Sequence, residues 1–70
     1  MPEKEELSAA VRRIRREAGL SQTEAARLSA YAQATVSKLE RGQYYPPLVG
    51  LKRIAKACGY RVVIRFEKMK

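Results

Sequence analysis

The 70-residue chain contains no histidine, and all seven of its acidic residues are glutamate. Without an imidazole or an aspartate, His-based triads and most general-base arrangements are excluded. One cysteine, Cys58, cannot close an internal disulfide, and a lone thiol among scattered glutamates has no metal-ligand spacing. The four glycines stand singly, so no Gly-rich loop is present to cradle a phosphate. Nowhere do about 18 apolar residues run together, so no membrane-spanning helix is predicted. The N-terminal MPEKEEL is acidic and polar and lacks the apolar stretch of a secretory signal. These absences point away from an enzyme, a metal or cofactor site and a membrane. With the single thiol they fit a reducing cytoplasm.

What the chain does have is positive charge. Fifteen Lys and Arg against seven Glu leave a formal +8. That balance points to a polyanion, with nucleic acid the first candidate. The plain alternative is a ribosome-like or merely soluble basic protein. Seventy residues make one domain. A domain this small buries only about 60% of the surface of its unfolded chain, so oligomerisation is expected to supply further burial.

The rest of the sequence is arranged around residues 21–42, SQTEAARLSAYAQATVSKLERG. Ser21-Gln22-Thr23-Glu24 fits a capping box, in which the serine oxygen accepts the third backbone N–H and the glutamate reaches back to the serine N–H. Apolar Ala25, Ala26 and Leu28 follow at helical spacing. A second helical run, from Gln33 to Arg41, stops at Gly42. About four residues join the two runs, which suits an abrupt angled turn. In the second run Val36 and Leu39 face inward, leaving Gln33, Ala34, Ser37 and Lys38 outward. Such a small, polar, cationic face suits a DNA major groove.

Upstream, Leu7, Val11, Ile14 and Ala18 form one apolar helical stripe, and Gly19 is placed to end that helix. Glutamates in residues 1–6 suit the positive end of its dipole. Arg12, Arg13 and Arg16 fit either a solvated face or a functional one. Downstream, Tyr44 and Tyr45 can pack under the loop or offer hydroxyls to phosphates. Pro47 suits the first position of a fourth helix, whose buried face is Leu48, Leu51, Ile54, Ala55 and Cys58. Gly50 weakens that helix near its start and implies close packing. Residues 60–67 then change period. Tyr60, Val62, Ile64 and Phe66 alternate with Arg61, Val63, Arg65 and Glu67, which reads as a strand. A single strand leaves its backbone groups unpaired, so the expected partner is the same strand of a second subunit.

These residues resemble the helix-turn-helix of the Cro and phage-repressor class, also called the XRE class. The likeness rests on Leu7, Val11, Ile14 and Arg15; on Gly19-Leu20-Ser21-Gln22, Glu24 and Ala26; and on Thr35-Val36-Ser37-Lys38-Leu39-Glu40-Arg41-Gly42. It continues through Pro46, Leu48, Leu51, Ile54-Ala55-Lys56-Ala57 and Gly59. It implies an all-α, lambda-repressor-like four-helix DNA-binding domain, with helices over about 7–18, 22–29, 33–41 and 47–58. To this the alternation adds one C-terminal β-strand over about 60–67, pairing across a homodimer through Tyr60, Val62, Ile64 and Phe66.

By the same resemblance Gln22 holds a DNA phosphate at a helix N-terminus, while Gln33, Ala34, Thr35 and Lys38 face bases or flanking phosphates. Ser37 shares their outward face. Arg41, Gln43, Tyr44 and Tyr45 clamp the backbone of double-stranded DNA, and Arg15 pairs with Glu40. The implied function is a repressor at a pseudo-palindromic operator. The tail is more similar to HipB-like antitoxins, which leaves a second reading: an antitoxin that binds a toxin and represses its own operon. Two positions depart from the pattern, Ala30 where the turn usually holds glycine and Ala32 where the recognition helix usually holds a Ser or Thr cap. A left-handed Ala30 costs about 1–2 kcal/mol; otherwise the turn takes another geometry.

Overall fold

The computed structural model describes residues 6–70. Glu3 and Glu5, expected at the first helix dipole, lie outside the described residues. Four helices follow in order: α1 (Leu7–Glu17), α2 (Gln22–Ser29), α3 (Gln33–Glu40) and α4 (Leu48–Ala57). Ser21 accepts from the Glu24 N–H at 3.0 Å, and Glu24 accepts from the Ser21 N–H at 2.8 Å, so the full capping box starts α2. Pro47 is the residue before α4 rather than its first residue, with φ −61° and ψ 161°.

All four helices end in one way. Behind α1, α2, α3 and α4, a residue with positive φ (Gly19, Ala30, Gly42, Gly59) is followed by an N–H that reaches five residues back. The bonds are Leu20 to Arg15, Tyr31 to Ala26, Gln43 to Lys38 and Tyr60 to Ala55, each N–H to carbonyl. This is the Schellman motif, which satisfies the orphan carbonyls of a helix end and turns the chain sharply. Ala30 does the work of glycine at φ 63°. Three residues, Ala30 to Ala32, therefore suffice to swing α3 away from α2.

The core is small. Val11, Leu39 and Ile54 form its centre, with Leu7, Tyr31, Tyr44 and Leu51 packed against them. Ala25, Ala26, Val36, Ala55 and Cys58 complete the buried apolar side chains. Three positions of the expected apolar faces differ: Leu28 is 51% exposed, Leu48 is 42% exposed, and Ala18 is exposed at the end of α1. Alanines at 25 and 26 already fill the narrow inner face of α2, so Leu28 falls outside it. Leu48 opens α4 before that helix reaches the core.

Gly50 is explained by a neighbour distant in sequence. A Cβ there would lie 1.8 Å from the Tyr31 hydroxyl oxygen and 2.9 Å from Cζ. Arg53 lies over the Tyr31 ring, its Cζ 4.9 Å from the ring centroid. Arg53 Nε also donates to the Ser29 carbonyl at 2.9 Å, tying the end of α2 to α4.

No strand occurs among the described residues, and residues 60–70 carry no regular secondary structure. Strand pairing is a property of two segments, and within the described chain the tail has no strand to pair with. Val62 is half-buried, whereas Ile64 is 56% and Phe66 94% exposed. The Tyr60 hydroxyl donates to the Glu17 carboxylate, pinning the start of the tail to the end of α1.

Ala30→Gly is expected to stabilise the domain by about 1 kcal/mol, because it removes the Cβ penalty of the left-handed conformation at a modest entropic cost. Chemical denaturation checks this; an unchanged or lower midpoint would contradict it.

Candidate nucleic-acid interface

The candidate site is the outward face of α3 with the ends of α2 and the following loop. Its geometry begins at a buried charge. Glu40, the last residue of α3, is 3% exposed. Arg15 of α1 grips it in a fork, Nε to Oε2 at 2.6 Å and Nη2 to Oε1 at 2.9 Å. The same guanidinium donates through Nη1 to the Leu20 carbonyl at 2.8 Å. Gln22, at the start of α2, donates to Glu40 Oε1 at 3.1 Å. Three helices thus meet on one carboxylate.

Burial opposes ionisation of Glu40, but the hydrogen bonds from Arg15 and Gln22 and the charges of Arg15 and Arg12 outweigh it. The carboxyl is held below its ordinary range. Its hydrogen bond to Glu40 in turn raises Arg15 further above its ordinary value, against the desolvation it suffers. A forked arginine–carboxylate pair fixes orientation as well as distance.

From this hub the network reaches the outward face of α3. Gln33 Nε2 donates to Gln22 Oε1 at 2.8 Å, so the first side chain of α3 is held by the first side chain of α2. Gln33, Ala34 and Lys38 are exposed, while Thr35 and Ser37 are half-buried. At the other end of α3, Arg41 donates to the Ser37 hydroxyl and to Gln43 Oε1, the latter at 3.2 and 3.3 Å. Tyr45 is exposed beside them. Tyr44 packs against the core cluster, so its ring belongs to the body of the domain.

The structure therefore brings Gln22 and Gln33 together, and separately Ser37, Arg41 and Gln43, at opposite ends of one helix face. Arg12 was not singled out by sequence reasoning. It donates through Nη2 to the backbone carbonyl of Glu40 and lies 3.9 Å from the carboxylate. A cation there also suits the negative end of the α3 dipole. The available signal was its spacing, since Arg12 and Arg15 stand three apart and share a helix face. No group of three or more metal-ligating side chains occurs among the described residues. None of their helices is long and apolar enough to cross a membrane.

A capped helix, a three-residue turn and a second helix with an outward polar, cationic face define a helix-turn-helix domain. The chain belongs to the helix-turn-helix domain family, whose model matches residues 6–62. Over 47 residues, 67% of this chain, it is 43% identical to an uncharacterized HTH-type transcriptional regulator, y4dJ, of Sinorhizobium fredii. The matched segment spans 61% of that relative's length.

Arg15→Ala and Glu40→Ala are each expected to cost about 3–5 kcal/mol, since the first leaves buried Glu40 with only the longer Arg12 pair and Gln22, and the second takes the carboxylate from a largely buried Arg15. The double variant should lose less than the sum of the two, and additive losses would show that the pair is not coupled. The pH dependence has a definite sign. Because the folded value of Glu40 is depressed, its stabilisation is complete above the unfolded value, about 4.3, and is lost as pH falls through the folded one. The stability advantage of the natural chain over Glu40→Gln should shrink across that acid window.

Proposed function

We propose that this chain is a sequence-specific DNA-binding transcriptional regulator of the Cro and phage-repressor class, acting as a repressor in the cytoplasm. The observation that carries the reading is the Gln22–Gln33 pair. It holds a forked amide at the N-terminal end of α3, fixed through Glu40 to the body of the domain. A preset amide can pair bidentately with adenine in the major groove. Arg41, Gln43 and Tyr45 at the far end of the face hold the phosphate backbone, which positions the protein without specifying sequence. The basic balance of the chain and the regulator name of the y4dJ relative support the same reading.

The functional unit in this reading is a homodimer on a pseudo-palindromic operator. The tail carries the dimer contact. Of the contact residues Tyr60, Val62, Ile64 and Phe66, the last two are left most bare, at 56% and 94% exposure. An antiparallel strand from a second copy would satisfy their backbone groups and cover these side chains.

Selection of binding sites from randomised duplexes tests the base-reading role. Gln33→Ala should flatten the preference at one base position in each half-site, worth about 1–3 kcal/mol, and leave the others intact. Arg41→Ala should lower affinity for all sequences alike. Identical selected profiles for the two variants would remove α3 from the groove.

Truncation after Gly59 should give a monomer that keeps its helical content while operator binding falls about 10²–10⁴-fold, because linked half-sites become independent. Sedimentation of the two chains is the check. A truncated chain that stays dimeric would place the interface on the helices. A full-length chain that is already monomeric would favour the second reading, in which the bare tail meets a toxin and the protein is its antitoxin.

A further inference from the structure

The structure carries a second basic surface, on the outward side of α4 and the start of the tail. Lys52, Arg53, Lys56 and Arg61 are all exposed there. Two shallow grooves share Lys56 in their walls. One, of about 470 Å³, is lined by Leu28, Arg53, Lys56 and Ala57. The other, of about 370 Å³, is lined by Lys52, Lys56, Tyr60, Arg61 and Val62. No residue of α3 or of the loop after it lines either groove.

Charge and polarity are segregated across this surface. Among the described residues no carboxylate pairs with Lys52, Lys56 or Arg61. Glu24 is engaged in the capping box, Glu40 with Arg15 and Glu67 with Arg65, and the carboxylate bonded to a lining residue, Glu17 on the Tyr60 hydroxyl, is also paired with Arg13. Between the cations the floor is apolar, formed by Leu28, Ala57 and Val62. Arg53 forms a fixed wall, since its guanidinium is held by the Ser29 carbonyl and the Tyr31 ring.

We infer that this surface binds an acidic protein segment bearing an apolar side chain. Its carboxylates would meet Lys52, Lys56 and Arg61, while the apolar side chain covers Leu28 and Ala57. A duplex fits less well, because a phosphate backbone has nothing apolar to lay on a half-exposed leucine. The inference does not depend on α3 reading DNA.

The test uses the full chain and three labelled probes followed by fluorescence anisotropy. They are a short synthetic peptide of glutamates with leucine at every fourth position, polyglutamate of the same length, and a duplex of random sequence. The leucine-bearing peptide should bind more tightly than polyglutamate. K52E combined with K56E should weaken it about tenfold, the scale of two reversed surface charges. Leu28→Ala should weaken it about fivefold through lost apolar cover. K38E combined with R41E, on the α3 face, should leave peptide binding nearly unchanged while weakening the duplex. Lys52→Gln with Lys56→Gln repeats the test without reversed charge. Three outcomes would overturn the inference: equal peptide losses from the two reversal pairs, no preference for leucine, or duplex binding that depends on Lys52 and Lys56 as strongly as on Lys38 and Arg41. The first would mean diffuse attraction and the last an auxiliary DNA surface.

Discussion

The Glu40 carboxylate, almost wholly removed from water, is the constraint on which the arrangement of the helices depends. A buried charge without partners costs several kcal/mol, and here the carboxylate is satisfied by the forked Arg15 pair, with Gln22 adding a further hydrogen bond. That requirement couples α1, α2 and α3 at one point and sets the crossing of the helix-turn-helix pair. It also extends outward. Gln22 uses its amide N–H₂ on Glu40 and its carbonyl on Gln33, so the orientation of an exposed amide is inherited from an interior ion pair. Arg12 closes the system by capping the end of α3 through the Glu40 backbone.

Around that hub the fold relies on repetition of one local device. Four Schellman turns end the four helices, and between α2 and α3 the whole connection is three residues. The turn between α2 and α3 is the odd one, built on Ala30 with a positive φ. It is held by what packs around it: Tyr31 inserts beside Gly50, and Arg53 stacks on Tyr31 while gripping the end of α2. Tertiary packing thus maintains a backbone conformation that alanine resists.

Legibility in the sequence follows the range of the forces involved. Helix ends are set by local capping, so the Ser21 box and the isolated glycines are readable from the residues alone. The inward placement of Val36 and Leu39 follows from periodicity, and their burial agrees with it. Leu28 and Leu48 do not follow the stripe, because burial depends on which neighbour arrives and not on spacing. The closeness of Gly50 to Tyr31 is a contact between distant segments, and nothing at either position announces it. Arg12 is hidden within a run of arginines where only the three-residue offset from Arg15 distinguishes it. The alternating tail is legible as a pattern, yet strand pairing needs a partner outside the described chain. The basic groove beside Leu28 is invisible in the sequence, since its residues come from α2, α4 and the tail.

One buried carboxylate organises both the interior and the outward amides at the start of α2 and α3. Acid titration of the full chain by NMR, following the Glu40 side-chain carboxyl together with the Gln22 and Gln33 side-chain amides, tests it most directly. Glu40 should titrate below the ordinary glutamate value of about 4.3, and both amides should shift with the same midpoint as it protonates. A Glu40 that titrates at the ordinary value, or amides that ignore its protonation, would mean that the carboxylate does not hold the two amides in place.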